Sequence, residues 1–320
     1  MTATPLMTVE DLSISFRIED RWCRAVNGVS FDIMPDETLC LVGESGCGKS
    51  ITAMSLMRLL PGSARLGGRI GFDGKDILTM PEAELQTIRG RRIAMIFQEP
   101  MTSLNPVLTV GEQIAEPLVL HKGMGWSEAK REARHLLDLV RIPDADRRLR
   151  QYPHELSGGM RQRVMIAIGL ACRPEILIAD EPTTALDVTI QAQVLALLDE
   201  IRREQGLSIV LITHDLGVVA NVADRVAVMY AGDLVETAPV GDLFDKPSHP
   251  YTQALLRTVP RADAAFDLHP IEGQVPSIQS MPEGCRFAPR CVEAHAACSS
   301  PPSLSSGPHA VRCWARRDVA

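Results

Sequence analysis

An eight-residue stretch near the start of the chain has the composition of a loop that binds phosphate groups. It fits the pattern G-x-x-x-x-G-K-[ST] at every fixed position. Glycines let backbone N–H groups turn inward toward an anion, the lysine reaches the β- and γ-phosphates, and the last hydroxyl binds Mg²⁺. The stretch predicted to bind nucleotide consists of Gly43, Glu44, Ser45, Gly46, Cys47, Gly48, Lys49 and Ser50.

The segments on either side of this loop fit that interpretation. The apolar run Thr38–Val42 predicts a buried strand, and Ile51–Leu60 is apolar at helical spacing. A helix that starts at the loop adds partial positive charge beside the phosphates. Cys47 occupies a variable position of the motif, so we expect it to contribute only its N–H.

Two carboxylates follow a second short apolar run, Ile176–Ala179. This pattern is typical of a buried parallel strand, whose carboxyl end is where α/β proteins bind their ligands. Asp180 would hold Mg²⁺ through water, and Glu181 would accept a proton from the attacking water or orient it. An adjacent pair of carboxylates is usually a solvated turn, so this hypothesis depends on the phosphate loop.

Two further polar residues follow apolar runs. His214 comes after Ser208–Ile212, and we expect it at the same sheet edge, in contact with the γ-phosphate. Gln98 comes after Ile93–Phe97 and carries little signal by itself.

The order of these motifs resembles the ATP-binding subunits of ABC transporters. A second Gly-rich element, Leu156–Gly159, lies between the phosphate loop and the acidic strand end. Three flanking features resemble the oligopeptide/dipeptide importer branch of that family, and the similarity covers about residues 7–315. These features are YPHELSGGMRQR at 152–163, DEPTTALDVT at 180–189 and QEPMTSLNP at 98–106, with His249-Pro250-Tyr251 before a cysteine-containing tail.

The resemblance implies an α/β fold, that of the P-loop NTPases in its ABC ATPase form. It implies an antiparallel β subdomain, a helical subdomain and a short cysteine-containing C-terminal extension. We place the ATPase domain at residues 1–238, with the helical subdomain at about 99–160, and the extension at 239–320. Ser127 is expected to cap a helix whose apolar face is Ala129, Ala133, Leu136, Leu137 and Val140. A later helix is expected to bury Ile190, Val194, Leu197, Leu198 and Ile201 and to end near Gly206.

The resemblance also implies individual roles. Ser157, Gly158 and Gly159 would contact the γ-phosphate of an ATP held by a partner subunit's phosphate loop. Asp187 would lie at the subunit interface. Gln98 would contact Mg²⁺ and the attacking water, so that Mg²⁺ is held through Ser50, Gln98 and Asp180. Phe16 best matches the aromatic residue that stacks on adenine, and Trp22 is the alternative.

The implied partners are two transmembrane permease subunits, a second ATPase subunit (a copy or a paralogue) and a peptide-binding protein that acts through the permeases. The implied location is the cytoplasmic face of the membrane, with ATP and Mg²⁺ as cofactors.

The net charge of −7 gives no support for nucleic-acid binding. The longest apolar stretch, Val164–Cys172, has nine residues, whereas a membrane-spanning helix needs about 20. Met1–Glu10 has no secretion signal pattern.

Other functions remain open at this point. Nickel, glutathione or an antimicrobial peptide could replace the peptide cargo, because other subunits choose it. ABC ATPases of DNA repair or chromosome structure insert long coiled coils between the two Gly-rich elements, and this chain has no sustained heptads there. Ribosome-acting members normally carry two cassettes in one chain, and this chain has one.

Four of the eight cysteines lie in the last part of the chain, with the spacing C-x5-C-x6-C-x14-C. Zinc sites usually show closer pairs, and disulfides are disfavoured in an intracellular ATPase. Four thiolates suit a [4Fe–4S] cluster, and the resemblance favours that cluster over zinc or unliganded cysteines. The candidate ligands are Cys285, Cys291, Cys298 and Cys313. Because this tail lies outside the motifs that touch ATP, we do not expect it to carry the hydrolysis step.

Overall fold

The computed structural model describes residues 4–99, 103–183, 187–258 and 271–316. The chain divides into two compact units, which we call the first unit (Met1–Thr79 with Ile212–Ala320) and the second unit (Met80–Leu211). Thr184–Leu186, within one of the motifs that carry the resemblance, lie outside the described residues. No helix in the described part of the chain is long and apolar enough to cross a membrane.

The first unit contains an antiparallel sheet at the start of the chain. Its strands run in the order β2-β1-β4-β5. The turn between β1 and β2 consists of Glu19 and Asp20, both at positive φ, which suits the tight twisted connection of a hairpin. The predicted antiparallel sheet is therefore present. The strands are β1 (Met7–Ile18), β2 (Arg21–Ile33), β4 (Arg65–Phe72) and β5 (Lys75–Asp76).

A second group of strands in the first unit positions the phosphate loop. The strand before the loop, β3 (Thr38–Val42), is buried at all five residues, as its apolar run predicts. It pairs in parallel with β9 (Arg225–Tyr230), which pairs antiparallel with β10 (Asp233–Pro239). The tail adds a short strand, β11 (Ala310–Val311), antiparallel to β10. Part of the extension thus belongs to the core sheet of this unit, which the sequence did not predict.

Three strands precede predicted site residues, and they belong to the second unit except for Ile212 at the end of the third. The strands β6 (Ile93–Ile96) and β7 (Ile176–Asp180) pair in parallel, and β8 (Ser208–Ile212) follows β7 in the strand order. All three match predicted apolar runs to within a residue or two. Because β6 and β7 are parallel, their carboxyl ends lie at the same edge.

Helices complete both units. The first unit contains α1 (Lys49–Ser55), α8 (Leu216–Val222), α9 (Val240–Asp245) and α10 (Pro250–Leu256). The second contains α2 (Glu82–Ile88), α3 (Val110–Lys122), α4 (Trp126–Leu139), α5 (Ala145–Arg148), α6 (Gly158–Leu170) and α7 (Val188–Gln205).

The two predicted amphipathic helices exist, with one error in a cap. The predicted apolar face of α4 is buried, from Ala129 to Val140. The prediction that Ser127 caps this helix is wrong: α4 begins at Trp126 after Gly125, and Ser127 lies inside its first turn. Helix α7 buries Val194, Leu197, Leu198 and Ile201, and it ends at Gly206, where φ is 64°. Ile190, in its first turn, is only half-buried, so the predicted face is not buried at that end. Glycine suits this left-handed cap position because it has no Cβ.

We expect Leu137→Ala to destabilise the protein, because Leu137 is fully buried in α4. Truncating a buried leucine typically costs about 2–5 kcal/mol. Leu120→Ala in α3 is the matched control, since this side chain is 73% exposed and its loss should cost less than about 0.5 kcal/mol. Urea unfolding of the full chain measures both changes; equal stabilities for the two variants would contradict the packing described here.

Candidate nucleotide-binding site

The backbone of the phosphate loop is packed against strand β9. Gly43 has a φ of 150°, and a Cβ there would lie 2.1 Å from the carbonyl oxygen of Met229. Gly48 has a φ of 104° and is the residue that caps helix α1. The loop therefore needs glycine at both positions, one for the close approach and one for the left-handed turn into the helix.

Lys49 lies inside the loop, as the motif predicts. Its ammonium group is buried and donates hydrogen bonds to the carbonyl oxygens of Gly43, at 2.8 Å, and Glu44, at 3.1 Å. Ser50 follows it in the first turn of α1. The positive charge and the start of the helix thus lie together, which is the arrangement that favours a bound phosphate group.

Cys47 lies within the loop and is buried. Its Sγ lies 3.7 Å from Lys49 Nζ, and burial raises the pKa of this thiol. Its N–H donates to the carbonyl oxygen of Glu44 at 3.3 Å, and its own carbonyl accepts from the N–H of Gly232 at 2.9 Å. The backbone of Cys47 therefore ties the loop together and to the β9–β10 turn.

The acidic strand end and the glutamine meet in the second unit. Gln98 Nε2 donates to Glu181 Oε2 at 2.8 Å, and Asp180 is buried at the end of β7. Glu181 has a φ of 45°, a left-handed conformation that is unusual for glutamate. Such strain is often found where a side chain must be aimed at a reacting group. The parallel pairing of β6 and β7 thus brings Gln98 and Glu181 together, as a common sheet edge requires.

The second Gly-rich element forms the start of a long helix. The Ser157 hydroxyl accepts from the N–H of Met160 at 3.4 Å and caps α6, so Gly158 and Gly159 are its first two residues. Ser157 and Gly158 are exposed. An exposed helix N-terminus with small residues offers its N–H groups to an anion. Asp187 caps the neighbouring helix α7 by accepting from the N–H of Ile190 at 2.9 Å, a local role that the sequence analysis missed.

Three residues of the first unit complete the predicted set. His214 is exposed and lies two residues after the end of β8. Phe16 is half-buried on β1. Trp22 is more exposed, and the Arg65 guanidinium stacks on its ring at 3.7 Å from the ring centre. That face of Trp22 is therefore covered, which favours Phe16 as the platform for adenine.

Comparison with protein-family models gives two matches that divide the chain. The model described as ABC transporter matches residues 26–184. The model described as oligopeptide/dipeptide transporter, C-terminal region, matches residues 235–298.

Relatives of known name match nearly the whole chain. It is 52% identical over 305 residues to the oligopeptide transport ATP-binding protein OppD of Salmonella typhimurium, covering 95% of this chain and 91% of that protein. It is 52% identical over 315 residues to the dipeptide transport ATP-binding protein DppD of Bacillus subtilis, covering 97% and 94%.

The chain belongs to the ABC transporter family.

A solved structure agrees with this assignment. The dimeric ATP-binding cassette MJ0796, in a post-hydrolysis state bound to ADP and Pi, is 27% identical with a TM-score of 0.66. The match covers 73% of this chain and 98% of that one. The predicted fold class and the ATPase activity are confirmed.

The four cysteines of this ABC ATPase's extension line one small cavity, together with His249, Phe287 and His295. Burial raises the pKa of Cys285, Cys291 and Cys313. Within the described residues, however, no three His, Cys, Asp or Glu side chains are arranged to hold a metal ion. The four cysteines therefore share one cavity, but their side chains are not arranged as metal ligands, and the iron–sulfur cluster stays a prediction.

The extension also contacts the phosphate loop, a contact that the sequence analysis did not predict. Arg290 donates to both carboxylate oxygens of Glu44, at 2.6 and 3.1 Å. The buried hydroxyl of Tyr251 accepts from the N–H of Glu44 at 2.9 Å. Arg290 and Glu44 are 246 positions apart, and no sequence pattern could have joined them. The sequence identifies the His249-Pro250-Tyr251 motif only as a feature of the family and does not predict this contact.

Proposed function

We propose that this ATPase energises the import of di- and oligopeptides through a membrane permease. The observation that carries the proposal is the identity of 52% with oligopeptide and dipeptide transport ATP-binding proteins. The match of residues 235–298 to the peptide-transporter C-terminal region supports the same cargo class. Nickel, glutathione or an antimicrobial peptide is the alternative cargo, since the cargo is selected by subunits other than this one.

In this proposal the chain's residues act mainly by positioning ATP and stabilising charge. The backbone of residues 43–50 surrounds the phosphates and Lys49 offsets the charge of the β- and γ-phosphates. Glu181 accepts the proton of the attacking water, and Gln98, hydrogen-bonded to Glu181 at 2.8 Å, helps to hold that water. His214 contacts the γ-phosphate, and Phe16 stacks on adenine.

The proposed metal ion is Mg²⁺, and the residue types assigned to it fit. Ser50, Gln98 and Asp180 offer a hydroxyl, an amide and a carboxylate oxygen, the hard ligands that Mg²⁺ prefers. The ion, when bound, offsets the negative charge that develops on the phosphate oxygens. Asp180, buried at the end of β7, would hold it through water.

We further propose that two ATPase subunits close head-to-tail over two ATP molecules. Ser157, Gly158 and Gly159 would bind the γ-phosphate held by the partner subunit, and Asp187 would lie at the interface. The exposed, serine-capped N-terminus of α6 supports this role. The similar cassette MJ0796 is dimeric with ADP and Pi bound. The partner is a second copy or a paralogue.

The remaining proposed partners follow from an importer's task. They are two transmembrane permease subunits and a peptide-binding protein that delivers cargo to them. The ATPase would be a peripheral subunit at the cytoplasmic face of the membrane, its closure and reopening driving the permease. We assign permease docking to the helical subdomain.

A [4Fe–4S] cluster held by the four cysteines is the last part of the proposal. Its support is the family resemblance together with the position of the four cysteines around one small cavity; the described side chains are not themselves arranged as metal ligands. The cysteines would hold the cluster as thiolates, and the cluster would supply a covalent staple to a segment with little regular structure. Zinc and unliganded cysteines are the alternatives.

The first experiment tests Glu181 and peptide import together. We expect Glu181→Gln to bind ATP but to lose about 10²–10⁴-fold in hydrolysis, because the attacking water loses its base. Peptide uptake by proteoliposomes that contain the assembled transporter should fall in parallel. Glu175→Gln is the control, since Glu175 lies just before β7 and pairs with Arg92. Hydrolysis by Glu181→Gln within about twofold of wild type would remove Glu181 from this role. Uptake of nickel or glutathione, and not of peptides, would show that peptides are not the cargo and that one of the alternatives is.

The second experiment tests the shared ATP site. Ser157→Arg in the full chain should bind ATP nearly as well as wild type but should not dimerise with ATP, because the arginine would obstruct the partner's phosphate site. Light scattering with and without ATP measures dimerisation, in a Glu181→Gln background that slows hydrolysis. Ser127→Arg, an exposed serine in the first turn of α4, is the matched control. If Ser157→Arg abolishes ATP binding by the monomer, Ser157 acts within its own chain.

The third experiment tests the cysteines. Protein purified without oxygen should be brown, absorb broadly near about 400 nm and contain about four irons per chain. Cys291→Ser should bleach it, whereas Cys172→Ser, at a buried cysteine of the second unit, should not. Stoichiometric zinc in colourless protein would establish a zinc site instead, and protein free of both metals would leave the cysteines unliganded.

A further inference from the structure

The guanidinium of Arg290 is buried between the extension and the phosphate loop. Its side chain is only 4% exposed and forms a bidentate pair with the Glu44 carboxylate, which is 28% exposed. Nε donates to the carbonyl oxygen of Glu272 at 2.8 Å, and Nη2 also donates to that of Ile271 at 3.1 Å. The pair with Glu44 raises the pKa of Arg290. The arginine is therefore charged and fixed in place by several hydrogen bonds.

A second set of contacts holds the same loop from the neighbouring turn. Arg286 donates to the carbonyl oxygen of Ala231 and lies 3.6 Å from the carboxylate of Asp233. Gly232, which lies between Ala231 and Asp233, donates its N–H to the carbonyl oxygen of Cys47 in the phosphate loop. The extension thus reaches the loop directly at Glu44 and, through this turn, at Cys47.

An aromatic cluster makes this attachment rigid. Phe287 packs edge-on against the rings of Tyr230 and Tyr251, with ring centres 5.0 and 5.4 Å apart. Both tyrosines are fully buried, and Tyr251 accepts the hydrogen bond from the N–H of Glu44. The segment that carries Arg290 is therefore anchored by packing as well as by charge.

From these contacts we infer that Arg290 is a positioning residue for ATP, which holds the phosphate loop in its binding conformation through Glu44. The inference rests on the proposed nucleotide site at residues 43–50. A loop that is already fixed loses less conformational entropy when its ligand binds, so its affinity is higher. The bidentate pair also neutralises a carboxylate that would otherwise repel the phosphates.

The experiment is a double-mutant cycle on ATP binding by the full chain and on the KM and kcat of the assembled transporter. Arg290→Gln should weaken ATP binding by about 5- to 150-fold, the usual range for coupled sites, because the Glu44 charge stays beside the phosphates unpaired. Glu44→Gln should weaken it less, since it removes that charge. The double variant should bind as well as Glu44→Gln alone. The loss should appear in the KM for ATP, with kcat nearly unchanged.

Arg316→Gln is the matched control. Arg316 lies in the same extension and pairs with Glu293 and with the carbonyl oxygen of Ser248, without a hydrogen bond or ion pair to the phosphate loop among the described contacts. It should lower the melting temperature without changing ATP affinity. Arg290→Lys keeps the positive charge but loses the planar guanidinium that forms the bidentate pair. If Arg290→Gln does not fold, Arg290→Lys must still raise the KM for ATP.

Three results would overturn the inference. They are an ATP affinity of Arg290→Gln within about twofold of wild type, additive effects of the two substitutions, or an equal loss in Arg316→Gln. The variant Lys49→Ala distinguishes failure of the inference about Arg290 from failure of the proposed nucleotide site. If Lys49→Ala binds ATP like wild type, the proposed site is wrong, whereas if only the Arg290 variants do so, only the role of Arg290 is wrong.

Discussion

The close approach of Gly43 to strand β9 is the constraint on which the phosphate loop depends. With no side chain at this position, the loop lies against the carbonyl of Met229, where a Cβ would be only 2.1 Å away. That position places the ammonium of Lys49 among the loop carbonyls and sets the start of α1 behind it. Strand β3, buried along its whole length, supplies the fixed point from which the loop departs.

The sequence predicted most of what surrounds the site, because its local signals are strong. Apolar runs located β3, β6, β7 and β8, since a buried parallel strand has no polar face. The hydrogen bond between Gln98 and Glu181 is explained by the parallel strands that precede these residues, whose carboxyl ends lie at the same edge. The predicted apolar face of α4 is buried, and that of α7 is buried except at Ile190, since helical periodicity depends only on neighbours in sequence.

The errors and omissions concern features that sequence periodicity does not encode. The cap at Ser127 was wrong because a serine near a helix start does not fix which residue begins the helix, and here Gly125 precedes it. The capping role of Asp187 was not predicted, because the family resemblance implies an interface role for this residue and not a local one. The pairing of β11 with β10 and of Arg290 with Glu44 joins distant parts of the chain. Only the folded chain brings those residues together.

The attachment of the extension at Glu44 has a consequence for how such proteins can be recombined. The fixed positions of the phosphate-loop motif serve the nucleotide, whereas Glu44 and Cys47 occupy variable positions, and both are held by other parts of the protein. The extension is therefore not an independent module. Grafting it onto another cassette would require transfer of Glu44, Tyr251 and the β9–β10 turn as well, because the graft would otherwise bury Arg290 with no carboxylate to receive it.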